Sequence, residues 1–118
     1  MKIRQSLPAA FAAALLAALP ASAQQTTRTS TDLSSTIAVT DTFQSINAAN
    51  PARQGCTIQN NGAATMWVFF GAIAGATKAK SVVLTTGQSV RCNLPGVTLG
   101  DQISITGTAT QEFYAKVQ

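Results

Sequence analysis

The fold class is decided by residues 49–71, which are Ala-Asn-Pro-Ala-Arg-Gln-Gly-Cys-Thr-Ile-Gln-Asn-Asn-Gly-Ala-Ala-Thr-Met-Trp-Val-Phe-Phe-Gly. Between residues 53 and 60, Cys56 and Ile58 share one side and polar or small residues the other, which is the two-residue period of a half-buried strand. Residues 65–70 are apolar on both faces, which predicts a central strand or a strand whose second face is covered by a partner. Asn61-Gly62 tolerates positive φ, so the stretch predicts two strands joined as a tight hairpin.

The rest of the chain repeats short alternating segments at intervals of roughly ten residues. Turn residues separate them, among them Thr86-Gly87 and Pro95-Gly96, and residues 71–79 are small enough to form a loop. No segment after residue 23 has helical periodicity. The sequence therefore predicts an all-β fold, a small antiparallel β-sandwich or jelly roll of about seven to eight strands. The predicted strands cover residues 35–40, 42–47, 53–60, 65–70, 80–85, 88–94, 101–107 and 111–117.

The first 23 residues have the three parts of a secretory signal peptide. Lys2 and Arg4 precede an uncharged run rich in Ala and Leu at residues 7–19, and Ala21-Ser22-Ala23 follows as a cleavage site. The alternative is a membrane-spanning helix, which needs about 20 apolar residues; this run is shorter and includes Pro8. We therefore predict a signal peptide at 1–23, a flexible polar arm at 24–34 and the β-domain at 35–118. The mature protein is then periplasmic or extracellular, with no stable membrane insertion.

Charge argues against nucleic acid as a partner. The formal charge of +4 includes Lys2 and Arg4, so the mature domain carries about +2. Nucleic-acid binders usually cluster basic residues with aromatics between them. Here the remaining basic residues are scattered, at Arg28, Arg53, Lys78, Lys80, Arg91 and Lys116.

Cys56 and Cys92 are the only cysteines. Export to an oxidising compartment and an even count favour a disulfide, and both residues fall on the predicted core side of their strands. A closed loop of about 37 residues gives a stabilisation of roughly 3–4 kcal/mol. The alternative is a pair of unbonded buried thiols. A zinc site is not expected, because the chain has no His and two cysteines do not fill a zinc coordination shell.

No catalytic motif is present. General acid–base chemistry usually uses His or a matched carboxylate pair, and the acidic residues are only Asp32, Asp41, Asp101 and Glu112. Neither a nucleophile elbow nor a phosphate-binding glycine loop occurs. Asp101 after Gly100 is typical of a turn, with a calcium ligand as the alternative. We predict a protein that is not an enzyme and uses no cofactor and no metal.

Four residues are candidates for a binding or interface face. Trp67 and Phe69 share one side of their strand, where they are either core residues or an exposed aromatic platform. Tyr114 points outward between Glu112 and Lys116. Arg53 follows the turn at Pro51, where a local cap or salt bridge is the simpler interpretation, since one Arg specifies no ligand.

Several segments occur in an order that resembles a known group of proteins. These segments are Thr31-Asp32-Leu33-Ser34, Ala48-Ala49-Asn50-Pro51-Ala52-Arg53, Ile58-Gln59-Asn60-Asn61, Met66-Trp67-Val68, Leu84 with Gly87, and Ile103-Ser104-Ile105-Thr106-Gly107 with Gln111-Glu112-Phe113-Tyr114-Ala115. The group consists of small β-sandwich proteins encoded in phage and prophage structural gene clusters, of the virion accessory or decoration type. The resemblance implies a non-catalytic assembly or binding role and carries over no catalytic residue. The export signal and the cysteine pair differ from that group and favour an exported relative.

Two functional hypotheses follow. The first is an exported structural or assembly module whose partner is a protein, either a second copy or another surface component. The second is a secreted carbohydrate-binding or adhesion module that uses exposed aromatic residues. Burial of Trp67 separates the two in part, because a core Trp cannot serve as a sugar platform.

Overall fold

A computed structural model describes residues 29–118, which form nine short β-strands and two 3₁₀ turns. The signal peptide predicted at 1–23 and residues 24–28 of the predicted arm lie outside the described residues. The 3₁₀ turns cover Ile73–Gly75 and Lys78–Lys80. The strands are β1 (Thr31–Asp32), β2 (Ser35–Thr36), β3 (Gln44–Asn47), β4 (Cys56–Asn60), β5 (Met66–Phe70), β6 (Val82–Leu84), β7 (Ser89–Arg91), β8 (Ile103–Thr106) and β9 (Glu112–Val117).

The strands form two antiparallel sheets. In sheet A the order is β1-β9-β4-β7, and β2 also pairs with β9. In sheet B the order is β3-β8-β5-β6. Because Leu33 N donates to Ala115 O between them, β1 and β2 act as one interrupted strand, and each sheet then has four strands. This is the strand order of a jelly roll, so the predicted all-β class is confirmed.

The core fills the space between the sheets, and the two-residue period decides which side chains enter it. In β4, Cys56 and Ile58 face inward, as the sequence predicts, and in β9 Phe113 and Ala115 do the same. The buried apolar residues are Ile37, Cys56, Ile58, Met66, Val68, Leu84, Val90, Cys92, Ile103, Ile105, Phe113 and Ala115.

The predicted hairpin at residues 53–70 is wrong. β4 lies in sheet A and β5 in sheet B, so the segment between them crosses the sandwich instead of folding back on itself. Gly62 does not adopt a positive φ. Position 62 favours glycine for another reason, because a Cβ there would overlap the side chain of Gln111. The buried side chain of Asn60 holds the crossing, because its amide donates to Ala64 O at 2.7 Å and its oxygen accepts from Gly62 N at 2.9 Å.

The turn at Thr86-Gly87 also carries the chain between sheets, from β6 to β7. Gly87 has a φ of 79° there, as a turn glycine should. The Pro95-Gly96 turn is confirmed, since Val97 N donates to Leu94 O at 3.1 Å and Gly96 has a φ of 80°.

Two other segments differ from the sequence prediction. The arm predicted at 24–34 includes Thr31–Asp32, which the structure pairs with β9. Strand pairing uses main-chain groups, so these polar residues form a strand without burying their own side chains, and the adjacent Leu33 packs against the core. The loop predicted at 71–79 contains most of both 3₁₀ turns.

Candidate functional site

The disulfide joins neighbouring strands of sheet A. Cys56 begins β4 and Cys92 follows β7, and their Cα atoms lie 5.2 Å apart. They continue the register of the adjacent pair Thr57 and Arg91, so the bond is a cross-strand link. β7 is only three residues long and lies at the edge of its sheet. The predicted pairing is confirmed, and the bond fastens this short edge strand to the centre of the sheet.

Arg53 lies inside the structure, with only 4% of its surface exposed. Its guanidinium donates to Asp101 O at 2.6 Å, Ala48 O at 2.7 Å and Leu99 O at 3.4 Å, and also to Asn47 Oδ1. Burial lowers the pKa of Arg53, and the charge of Asp101 opposes that shift. Arg53 therefore ties the β3–β4 connection to the β7–β8 connection, with local partners at Asn47 and Ala48 and distant partners at Leu99 and Asp101, and its side chain is too buried to belong to an exposed face.

Trp67 and Phe69 lie on the outer face of sheet B, because Met66 and Val68 take the inward positions of β5. Trp67 is thus neither the core residue nor the open platform considered from sequence. The ammonium of Lys78 lies 4.1 Å from the centroid of its indole ring, in a cation–π contact. Lys78 in turn forms a 2.5 Å salt bridge with Asp41.

Other side chains pack on the same outer face of sheet B. Phe69 packs edge-on against Phe43, with ring centroids 6.3 Å apart. Ser104 and Thr106 occupy the outward positions of β8, yet both are 0% exposed. Ser104 and Thr106 are therefore covered by other parts of the protein, whereas Trp67 and Phe69 on the same face stay half-buried.

Sheet B ends in β6, an edge strand with no blocking residue. Neither charge nor proline occurs between Ser81 and Thr86. Val83 points outward with 51% of its surface exposed. Proteins usually protect such edges with charged residues or proline, because unpaired main-chain groups invite another strand.

A groove of 590 Å³ runs beside this edge and is lined by residues of both β6 and β7. Its apolar lining comes from the core-facing residues Val82, Leu84, Val90 and Leu94. Because β6 closes sheet B and β7 closes sheet A, the groove lies along the open side of the sandwich. An extended segment placed here would find main-chain partners and apolar contacts together.

Tyr114 lies on the outer face of sheet A, in a cleft of 430 Å³ that adjoins the groove and shares Arg91 and Asn93 with it. Lys116 places its ammonium 5.9 Å from the centroid of the Tyr114 ring. The four candidate residues named from sequence therefore do not form one face, since Trp67 and Phe69 belong to sheet B, Tyr114 to sheet A and Arg53 to the interior. Sequence reasoning missed Val83, although the uncharged run around it was a readable signal.

Within residues 29–118, no helix is long and apolar enough to cross a membrane, and no group of three or more metal-ligating side chains comes together. No protein-family model matches the chain, and a search of curated proteins gives no match. Among solved structures, a chain from the disulfide-linked pili that form Bacillus endospore appendages is similar, with a TM-score of 0.46 and 21% sequence identity. The alignment covers 75% of this chain and 80% of that chain.

Proposed function

We propose that this protein is a non-catalytic exported assembly module that associates with further copies of itself through the β6 and β7 edges. The observation that carries the proposal is the apolar groove between two edge strands, one of which, β6, exposes Val83 and has no strand on its outer side. Addition of a strand at such an edge is a common mode of protein association.

Two features of the chain support an exported, structural role. The disulfide between Cys56 and Cys92 is suited to an oxidising compartment, and residues 1–23 have the pattern of a cleaved leader. The chain resembles small β-sandwich proteins of phage and prophage structural gene clusters, which are of the virion accessory or decoration type. That resemblance favours the same structural role. The protein then acts in the periplasm or outside the cell.

A non-catalytic role also fits the chemistry of the chain. The sequence contains no His, and Asp41 is engaged by Lys78. The guanidinium of Arg53 donates hydrogen bonds to loop carbonyl oxygens. The side chains of Asp41 and Arg53 therefore serve contacts within the fold.

The test is the oligomeric state of the purified protein by light scattering coupled to gel filtration, over a range of concentrations. We expect an oligomer that Val83→Lys converts to monomer, because the new charge blocks strand addition at β6. Val39→Lys is the matched control, since Val39 is 57% exposed but lies between β2 and β3, away from this edge. A wild-type protein that stays monomeric at every concentration contradicts the proposal, as does a Val83→Lys variant that still assembles.

A further inference from the structure

The outer face of sheet A carries a polar cleft next to the proposed assembly edge, with which it shares Arg91 and Asn93. Among its lining residues are Gln54, Thr57, Arg91, Asn93, Tyr114 and Lys116. Its volume of 430 Å³ falls within the about 300–1,000 Å³ typical of small-molecule sites. The cleft lies on the opposite sheet from Trp67, so the covering of the Trp67 face leaves it open.

Strand register brings two cations to this cleft. Thr57 in β4 has Arg91 as its neighbour on one side and Lys116 as its neighbour on the other. Their Cα atoms are therefore two strand spacings apart, about 10 Å. Tyr114 precedes Lys116 by two residues on the same face of β9, so its ring lies beside the line between the cations.

The donors of the cleft are not used by the protein. Within residues 29–118, the side chains of Thr57, Arg91, Tyr114 and Lys116 make no hydrogen bond or salt bridge to another residue; the one salt bridge there joins Lys78 to Asp41. No Asp or Glu side chain is among the lining residues of the cleft. Two cations without a salt bridge, one of them near the tyrosine ring, and the amides beside them match a ligand with many oxygen acceptors and negative charge.

The nearest acids lie at the periphery. Asp32 in β1 is the cross-strand neighbour of Lys116, and its carboxylate accepts a hydrogen bond from Ser34 N at 2.9 Å. Bonds from Ser34 hold the pKa of Asp32 below its ordinary value, with a smaller contribution from Lys116, so Asp32 is charged at neutral pH. Glu112 lies toward the other end of β9, opposite Thr36.

We infer that this cleft binds an acidic oligosaccharide, with Arg91 and Lys116 engaging carboxylates of the chain while Tyr114 packs against a sugar ring. A pyranose offers hydroxyl groups for the amides of Gln54 and Asn93 and an apolar face for the aromatic ring. Nucleic acid fits less well, because its affinity comes from many basic contacts along the backbone and this cleft has two cations.

The test is calorimetric titration of the purified protein with trigalacturonate, trimannuronate and triguluronate. The methyl ester of trigalacturonate is the matched ligand control, because it keeps the sugar and removes the charge. We expect at least one acidic trisaccharide to bind at millimolar concentration or below and the ester to bind much more weakly. Arg91→Gln and Lys116→Gln should each weaken binding by roughly tenfold or more, as the loss of one charge-assisted hydrogen bond predicts. Lys80→Gln, which removes an exposed charge outside the cleft, should change nothing.

Asp32→Asn gives a prediction of opposite sign. Removing the carboxylate beside Lys116 should tighten binding of the acidic sugar, because it removes a negative charge that repels the sugar carboxylates. The inference is overturned if none of the three acidic sugars binds, if the ester binds equally well, if Lys80→Gln weakens binding as much as Lys116→Gln, or if a thymidine oligonucleotide binds more tightly. The assembly proposal is read separately, from the oligomeric state of Val83→Lys.

Discussion

The side chains of Asn60 and Gln111 hydrogen-bond to each other at 2.7 Å, and both are buried. Asn60 ends β4 in sheet A, and its amide also donates to Leu84 O in sheet B at 2.9 Å. Gln111 donates to Ala64 O at 2.6 Å and accepts from Thr108 N at 3.1 Å. The pair thus satisfies main-chain groups of two connections and of the last residue of β6, at one end of the sandwich. Two amides joined in this way specify where the chain leaves one sheet for the other.

Truncation of Asn60 should be among the most damaging single changes in the protein. Asn60→Ala leaves Gly62 N–H, Leu84 C=O and the Gln111 amide without that partner, so we expect the free energy of unfolding to fall by about 2–4 kcal/mol. Urea denaturation of the variant and the wild type measures this loss of unfolding free energy. Asn61→Ala is the matched control, because Asn61 is exposed, and should stay within about 0.5 kcal/mol of wild type. Equal effects of the two substitutions would refute the role of the buried amide.

Residue alternation predicted which side chains enter the core but not which sheet each strand joins. Ile58, Val90 and Phe113 were correctly placed inward, because the two-residue period acts locally. The dipeptide Asn61-Gly62 predicts a hairpin because Asn-Gly is common in tight two-residue turns. The deciding contact is Asn60 with Gln111, 51 residues away, and no local pattern reports a partner at that separation.

The disulfide should supply much of the stability of this small domain. The cysteines are 36 residues apart, so replacing both, as Cys56→Ala with Cys92→Ala, should lower the free energy of unfolding by about 3–4 kcal/mol. Urea denaturation with and without reductant measures the change. Reductant should destabilise the wild type and leave the double variant unaffected. Identical denaturation midpoints for the oxidised wild type and the double variant would contradict this assignment.

Arg53 should tolerate no replacement, even by lysine. Arg53→Lys keeps a buried positive charge but loses the planar fork that reaches Asp101 O and Ala48 O together, so we expect a loss of about 2–4 kcal/mol in unfolding free energy. Arg91→Lys is the control, since Arg91 is exposed and should change stability by less than about 0.5 kcal/mol. Thermal denaturation monitored by circular dichroism compares the two. A stable Arg53→Lys variant would show that charge alone is sufficient.

The candidate site was less predictable than the fold, because its features depend on neighbours across sheets. Tyr114 was recognised as outward-facing, but its position near Arg91 follows only from the order β9-β4-β7. For Arg53 the sequence predicts a local cap or salt bridge, but two of its hydrogen-bond partners, Leu99 and Asp101, lie 46 and 48 residues away. Lys78 belongs to a segment predicted as a loop, where nothing in the sequence indicates that its side chain lies over Trp67.

Trp67 is the only tryptophan, so its fluorescence reports directly on whether the outer face of sheet B is covered. Lys78→Ala removes the ammonium that lies 4.1 Å from the ring centroid and should increase quenching by acrylamide and shift emission to longer wavelength. Stability should fall by less than about 1 kcal/mol, because the Lys78–Asp41 bridge is exposed to solvent. Lys80→Ala, in the same 3₁₀ turn, should leave quenching unchanged. If both variants quench alike, the ring is already open, and a sugar platform at Trp67 returns as the better explanation of this face.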